Sequence, residues 1–250
     1  MRIRMYITAA VTAAAAWLAL GGIAAASFPN FSDCPTGLPS GSACVDIQSN
    51  SGEFEIKGFH VPLDHSLEIR GAVREPEGTF VPPAGTNGFF AQPVNVPGGL
   101  LGIELPITLN LVLATAELAG PASSIEFRPG DQTIRLPLKV RLSNPLIESN
   151  CHIGSNSNPI WVHLIPGTTS PPPPNRSISG RPGRLEFVPP DTLFARGAIV
   201  VENSFSIPGA QECGGLGLIN LVIDAKLKLP SAAGNNSMII NNEAALRIIP

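Results

Sequence analysis

Four histidines, His60, His65, His152 and His163, bound the acid–base chemistry open to this 250-residue chain. Asp64-His65-Ser66 holds the residue types of a hydrolytic relay. Neighbours on an extended chain point to opposite faces, so these three cannot pass a proton among themselves. The chain has no G-x-S-x-G elbow, and a polar turn between Leu63 and Leu67 accounts for the triplet. A triad gathered from distant residues stays open, because triads are defined by geometry and not by chain order. His60, Asp64 and His65, with Glu53 and Glu55 upstream, are the one local cluster of metal-ligand types. Their H-x4-H spacing fits neither a zinc finger nor a helical zinc protease, and exposed residues on a sheet edge explain it without a metal. Cys151-His152 would suit thiolate–imidazole chemistry, but an exported chain oxidises that thiol. No catalytic, metal-binding or cofactor-binding residue follows, and no cofactor.

Residues that could bind are few. A Gly-rich phosphate cradle of the G-x4-G-K-[ST] kind is absent. Trp161 and His163 share the face opposite Ile160, Val162 and Leu164, where a lone Trp serves a glycan or packs under a loop. Phe89-Phe90, beside Asn87-Gly88, is a second aromatic patch. Arg176, Arg181 and Arg184 follow the run Pro171 to Pro174 and could touch an anionic wall polymer. A formal net charge of −3 leaves no basic face for nucleic acid.

The N-terminus sets a compartment. Arg2 and Arg4 precede an apolar run through Ala13 to Leu20, and Ala24-Ala25-Ala26 is a small-residue cleavage site. Residues 1–26 therefore read as a signal peptide. Tyr6 to Ala26 is also just long enough for an uncleaved anchor, but an anchor has no need of the small residues. Cleavage removes Arg2 and Arg4 and no acid, leaving a more acidic mature chain of residues 27–250 with no further transmembrane segment. Its expected location is extracellular, released or associated with the cell surface.

Any site must be positioned by strands. At 44% apolar and 14% charged, the composition is globular. Three long runs alternate with period two: Ile103 to Leu113, Ile134 to Leu142, and Ile219 to Leu229. Shorter matches lie at Phe54/Ile56, Leu67/Ile69, Ile160/Val162/Leu164, Leu185/Phe187 and Ala198/Val200. Leu111 to Leu118 could make one short helix at most. Pro106 and Pro137, which cannot donate to a ladder, belong on edges or at bulges. Turn pairs such as Pro82-Pro83, Asn87-Gly88 and Pro182-Gly183 punctuate these runs. The expectation is an all-β, Greek-key-like antiparallel β-sandwich.

Four cysteines, Cys34, Cys44, Cys151 and Cys213, read as two disulfides in an exported chain. Three pairings are open; Cys34–Cys44 with Cys151–Cys213 needs no crossing. The long bridge would stabilise by about 4 kcal/mol and the short one by somewhat under ~3 kcal/mol. A Cys151–Cys213 bridge also encloses the proline run, so that run is a stiff surface loop of one domain and not a linker.

Several segments are familiar. Val96-Pro97-Gly98-Gly99-Leu100-Leu101-Gly102, Leu142-Ser143-Asn144-Pro145-Leu146 and Gly154-Ser155-Asn156-Ser157-Asn158-Pro159-Ile160 come first, followed by Gly167-Thr168-Thr169-Ser170-Pro171. Cys213-Gly214-Gly215-Leu216-Gly217 and Leu229-Pro230-Ser231-Ala232-Ala233-Gly234-Asn235-Asn236 complete the order. Over nearly the whole mature length the chain resembles a family of secreted actinobacterial proteins. The resemblance implies export and a bacterial source, and carries no activity, ligand or site residue across. The sequence thus leans to a secreted, non-catalytic β-sandwich that binds at, or builds, the cell exterior, its partner a wall polymer or an extracellular protein. The alternatives are a secreted hydrolase with a dispersed site, and an inhibitor or toxin presenting the loop from Gly167 to Arg184.

Overall fold

The computed structural model describes residues 28–250 except 101, 104, 106, 129, 215 and 216; the expected signal segment lies outside the described residues. Five strands come first: β1 (Ala43–Ile56), β2 (Phe59–Pro62), β3 (Leu67–Arg74), β4 (Thr79–Val81) and β5 (Phe89–Ala91). The chain then crosses to a second sheet with β6 (Val94–Asn95), β7 (Leu113–Leu118), β8 (Glu126–Arg128), β9 (Thr133–Ser143), β10 (His152–Ile153) and β11 (Ile160–Leu164). It returns to the first sheet for β12 (Arg184–Val188) and β13 (Thr192–Glu202), adds β14 (Ala210–Gln211) to the second, forms α1 (Leu218–Leu227), and ends in β15 (Asn236–Ile248).

All pairings are antiparallel. The first sheet runs β12-β13-β15-β1-β3-β4, so the last strand lies beside the first over Ala43↔Ile248 to Ile56↔Asn236. The second runs β14-β10-β9-β7-β6, with β8 and β11 also on β9. Alternate side chains of β15 and β9 face each other across the core: Met238, Ile240 and Ala244 from one, Ile134, Leu136, Leu138 and Leu142 from the other. This is the β-sandwich expected from the alternation, and its two disulfides are Cys34–Cys44 and Cys151–Cys213.

Only one of the three long runs behaves as expected. Ile134 to Leu142 becomes β9. Ile103 to Leu113 contributes only Leu113 to a strand; Leu111 to Leu118, open to a short helix by sequence, becomes β7 from Leu113 onward. Its upstream part closes on itself around Asn110, whose side chain donates to the Ile103 carbonyl (2.9 Å) and whose carbonyl accepts from Leu100 (2.7 Å). Gly99, at φ +50°, leaves room for that carbonyl where any Cβ would collide. Ile219 to Leu229 is a helix to Leu227. Apolar residues at every odd position also satisfy the i, i+4 set Ile219, Ile223 and Leu227, so the pattern alone cannot separate helix from strand. Tertiary bonds decide it: Asn220 accepts from the Cys213 amide (2.9 Å) and Asp224 from Ala210 (2.7 Å). Lys228, in the left-handed region at φ 55°, closes the helix by donating to the Asp224 carbonyl.

The proline expectation needs one amendment. Pro106 lies outside the described residues. Pro137 sits not on an edge but in β9, opposite Trp161. Its carbonyl accepts from Ala119 (3.0 Å), just where the β7 ladder stops at Leu118↔Leu138, so the missing N–H falls at a ladder end.

The proline run is a fastened strap. Ile165, leaving the second sheet, bridges Val201 of the first, and Arg181 bridges Ile199. Asn175 donates to the carbonyls of Asn203 (3.2 Å) and Asn236 (2.8 Å), while Asn236 accepts from Ser231 (2.6 Å). Gly234, at φ +85°, lies under the Pro172 carbonyl with no space for a side chain.

Candidate functional site

The residues singled out by sequence do not converge. Trp161 is 45% exposed on the outer face of β11, with the Arg135 guanidinium 4.8 Å from its ring centre. His163 shares that face, two residues on. Arg176, Arg181 and Arg184 are exposed but strung along β13 and the residue after it: Arg184 pairs with Arg196, Arg181 with Ile199, and the Arg176 carbonyl accepts from Asn203. Seven residues of strand, about 23 Å, separate the first and last of these positions. Phe89 is buried and Phe90 packs against Arg70, 4.5 Å away.

The β1–β2 hairpin brings Glu53, Glu55 and His60 together on an exposed face, their ligand-type atoms within 4.8 Å of one another. The hydrogen bond to Glu53 (3.0 Å) holds the His60 pKa above its ordinary value. Asp64 and His65 are left out: Asp64 accepts from the Gly52 amide (3.2 Å) and His65 occupies a left-handed turn at φ 48°. A larger charged group lies on the outer face of the second sheet. Glu117 accepts from Arg141 (2.6 Å) and contacts His152 (3.2 Å) and Lys139 (3.6 Å). Burial alone would raise the Glu117 pKa; the bonds from Arg141 and His152 outweigh it and hold the carboxyl below the usual range. His60 and His152, the histidines whose rings are hydrogen-bonded among the described residues, each face a glutamate and not a serine hydroxyl.

The most unusual surface is apolar. Nine of the fifteen large apolar side chains exposed among the described residues lie in three segments. Ile103, Leu105, Ile107, Leu109 and Leu111 are 40–57% exposed on the Asn110 loop, Leu146 is 57% exposed on the turn after β9, and Leu218, Leu221 and Val222 are 53–64% exposed on α1. Contacts join the three. Asn144 donates to the carbonyls of Leu109 (2.9 Å) and Leu111 (2.8 Å). Glu148 donates its amide to the Cys213 carbonyl (3.2 Å), and the space above Gly214 is closed by Ile219 and Glu148. Loop, turn and helix are therefore neighbours at one end of the sandwich, where the Cys151–Cys213 bridge ties the turn to the segment before the helix. A surface of this kind marks an interaction site in a folded chain.

Sequence reasoning placed six of these, Ile103, Leu105, Ile107, Leu109, Leu111 and Leu221, on the core faces of strands. Two signals pointed elsewhere. Pro106 interrupts the first run, and the second satisfies i, i+4 as well as i, i+2. No helix of the described residues is long and apolar enough to cross a membrane. Comparison with protein-family models, curated proteins and solved structures found no match to this chain.

Proposed function

We propose that the chain is an exported, non-catalytic binding module of the secreted actinobacterial family its segments resemble, and that it attaches to a lipid surface of the cell envelope through its aliphatic end. The carrying observation is the gathering of Leu105, Leu109, Leu146, Leu221 and their neighbours on one exposed end. Its chemistry favours hydrocarbon over a protein partner: all nine are aliphatic, with none of the aromatic anchors on which protein hot spots rely. The dispersed-triad alternative needs a histidine between a serine and an acid, an arrangement that His60 and His152 do not adopt. Secretion is supported by the two disulfides and by the N-terminal pattern.

Co-sedimentation with phosphatidylcholine vesicles and with purified envelope fragments, at low and high salt, tests this. Saturable binding that ignores salt is expected. The double substitution Leu105→Asp/Leu109→Asp should weaken it by more than about tenfold, since burying one leucine is worth at least ~1.4 kcal/mol. Binding that falls with salt would move the contact to the arginine row. Absence of binding would overturn the reading.

A further inference from the structure

A second apolar feature lies inside the sandwich. Three cavities of about 80, 40 and 190 Å³ stand in a row between the sheets. Leu67, Leu138 and Met238 line both the first and the second; Ile47, Ile134 and Asn242 line both the second and the third. They follow successive inward positions of β15, from Met238 to Leu246, over about 26 Å of strand. Residues of β9 from Leu142 back to Ile134 form the opposite wall.

Two further observations indicate what it would hold. Asn242 interrupts the inward row Met238, Ile240, Ala244, Leu246. It is 6% exposed, lines two of the cavities, and its side-chain amide makes no hydrogen bond to a described residue. A buried amide of this sort is normally satisfied; here it borders the cavity that Ser49, its cross-strand neighbour, and Glu68 also line. The largest cavity also has an apolar lip. Leu185 and Phe187 of β12, the edge strand of the first sheet, pair with Ala195 and Leu193 and remain 59% and 58% exposed; Leu185 lines the cavity.

We infer that the seam is a binding site for a single acyl chain carrying a neutral carbonyl group, an ester or amide. The chain enters under the Leu185–Phe187 lip and its tail runs toward Met238. The carbonyl accepts a hydrogen bond from the Asn242 amide, and the headgroup stays outside. The mouth lies at the opposite end from the proposed envelope contact; the tail cavity, lined by Leu227 of α1 and Leu142, lies beneath that end but inside the core.

The probe is the methyl ester of a fluorescent polyene fatty acid, titrated into the mature chain, with a hydrocarbon of equal length as comparison. Saturable 1:1 fluorescence enhancement is expected, and Leu105→Asp/Leu109→Asp should leave it unchanged. Ala198→Leu, directly opposite Asn242 and facing the largest cavity, should weaken ester binding by about tenfold or more while thermal unfolding stays cooperative. Ala195→Val makes the same test with less added volume should Ala198→Leu not fold. Asn242→Leu should weaken the ester by about tenfold and spare the hydrocarbon. No saturable enhancement, or equal ester binding by wild type and the cavity-filled variant, would overturn the site; loss in the Leu105→Asp/Leu109→Asp variant would place the probe on the outer end instead.

Discussion

The two ends of the sandwich handle surplus apolar side chains in opposite ways. At the Met238 end the Asn110 loop, the Leu146 turn and α1 turn leucines outward, beyond what the core can accept. At the Leu246 end lies the largest of the three cavities, and outside it show the β12 residues Leu185, Phe187 and Val188 with Ile248 of β15. Each end carries one disulfide. Cys151–Cys213 ties the segment before α1 to the turn after β9, and Cys34–Cys44 ties the N-terminal segment to the start of β1. A hydrophobic surface can thus be made either by adding irregular chain outside a finished core or by underfilling the core itself.

Opening the bridges breaks the comparison most strongly. Replacing Cys151 and Cys213 by serine releases a span of 62 residues and should cost about 4 kcal/mol of folding stability; the same change at Cys34 and Cys44 should cost somewhat under ~3 kcal/mol. Chemical denaturation of both variants measures the two. If the short bridge proved the costlier, the long-loop end would not be the one most dependent on its tie.

The helix offers the next test, because one element carries both an inner and an outer apolar face. Ile223→Ala removes a 6% exposed side chain and should cost about 3 kcal/mol. Leu221→Ser, on a residue 64% exposed, should change stability by less than about 0.5 kcal/mol while weakening vesicle binding. Similar costs for the two would mean that Leu221 packs in solution and that the aliphatic end is not a surface.

This helix also marks the limit of legibility. The sandwich, its β9 core row and the face shared by Trp161 and His163 could be read directly, because strict alternation is a local statement. The two disulfides are the non-crossing choice among three pairings, and alternation does not say whether Trp161 is covered or exposed. Ile219 to Leu229 could not, because its odd-position pattern serves two periods and the choice rests on Asn220 and Asp224 meeting backbone far away in sequence. The Asn110 loop escaped for a related reason: its turns are closed by one asparagine side chain, which a binary pattern counts only as polar. The seam left a single trace, Asn242 in an otherwise apolar row.

Two carboxylates sharpen the contrast at the level of charge. Glu117 is satisfied on an outer face, whereas Asp46 is wholly buried on β1, near the Cys34–Cys44 bridge. One Asp46 oxygen accepts from the Asn30 amide (2.7 Å) and the other finds no partner. Burial raises its pKa to about 6, with Glu68 adding to the rise while the Asn30 bond and Arg70 oppose it. Between the unfolded value of 3.8 and about 6 the folded chain therefore holds the extra proton, so this group lowers stability as pH rises through that window. Asp46→Asn keeps an acceptor for Asn30 and removes the titration. It should match wild type near pH 4 and exceed it by about 3 kcal/mol above pH 7, the worth of a little over two pKa units. Denaturation across pH reads the difference. A gap of equal size at both ends of the range would show that Asp46 acts through its shape and not its charge, and that the N-terminal segment closes this end without burying an ionisable group.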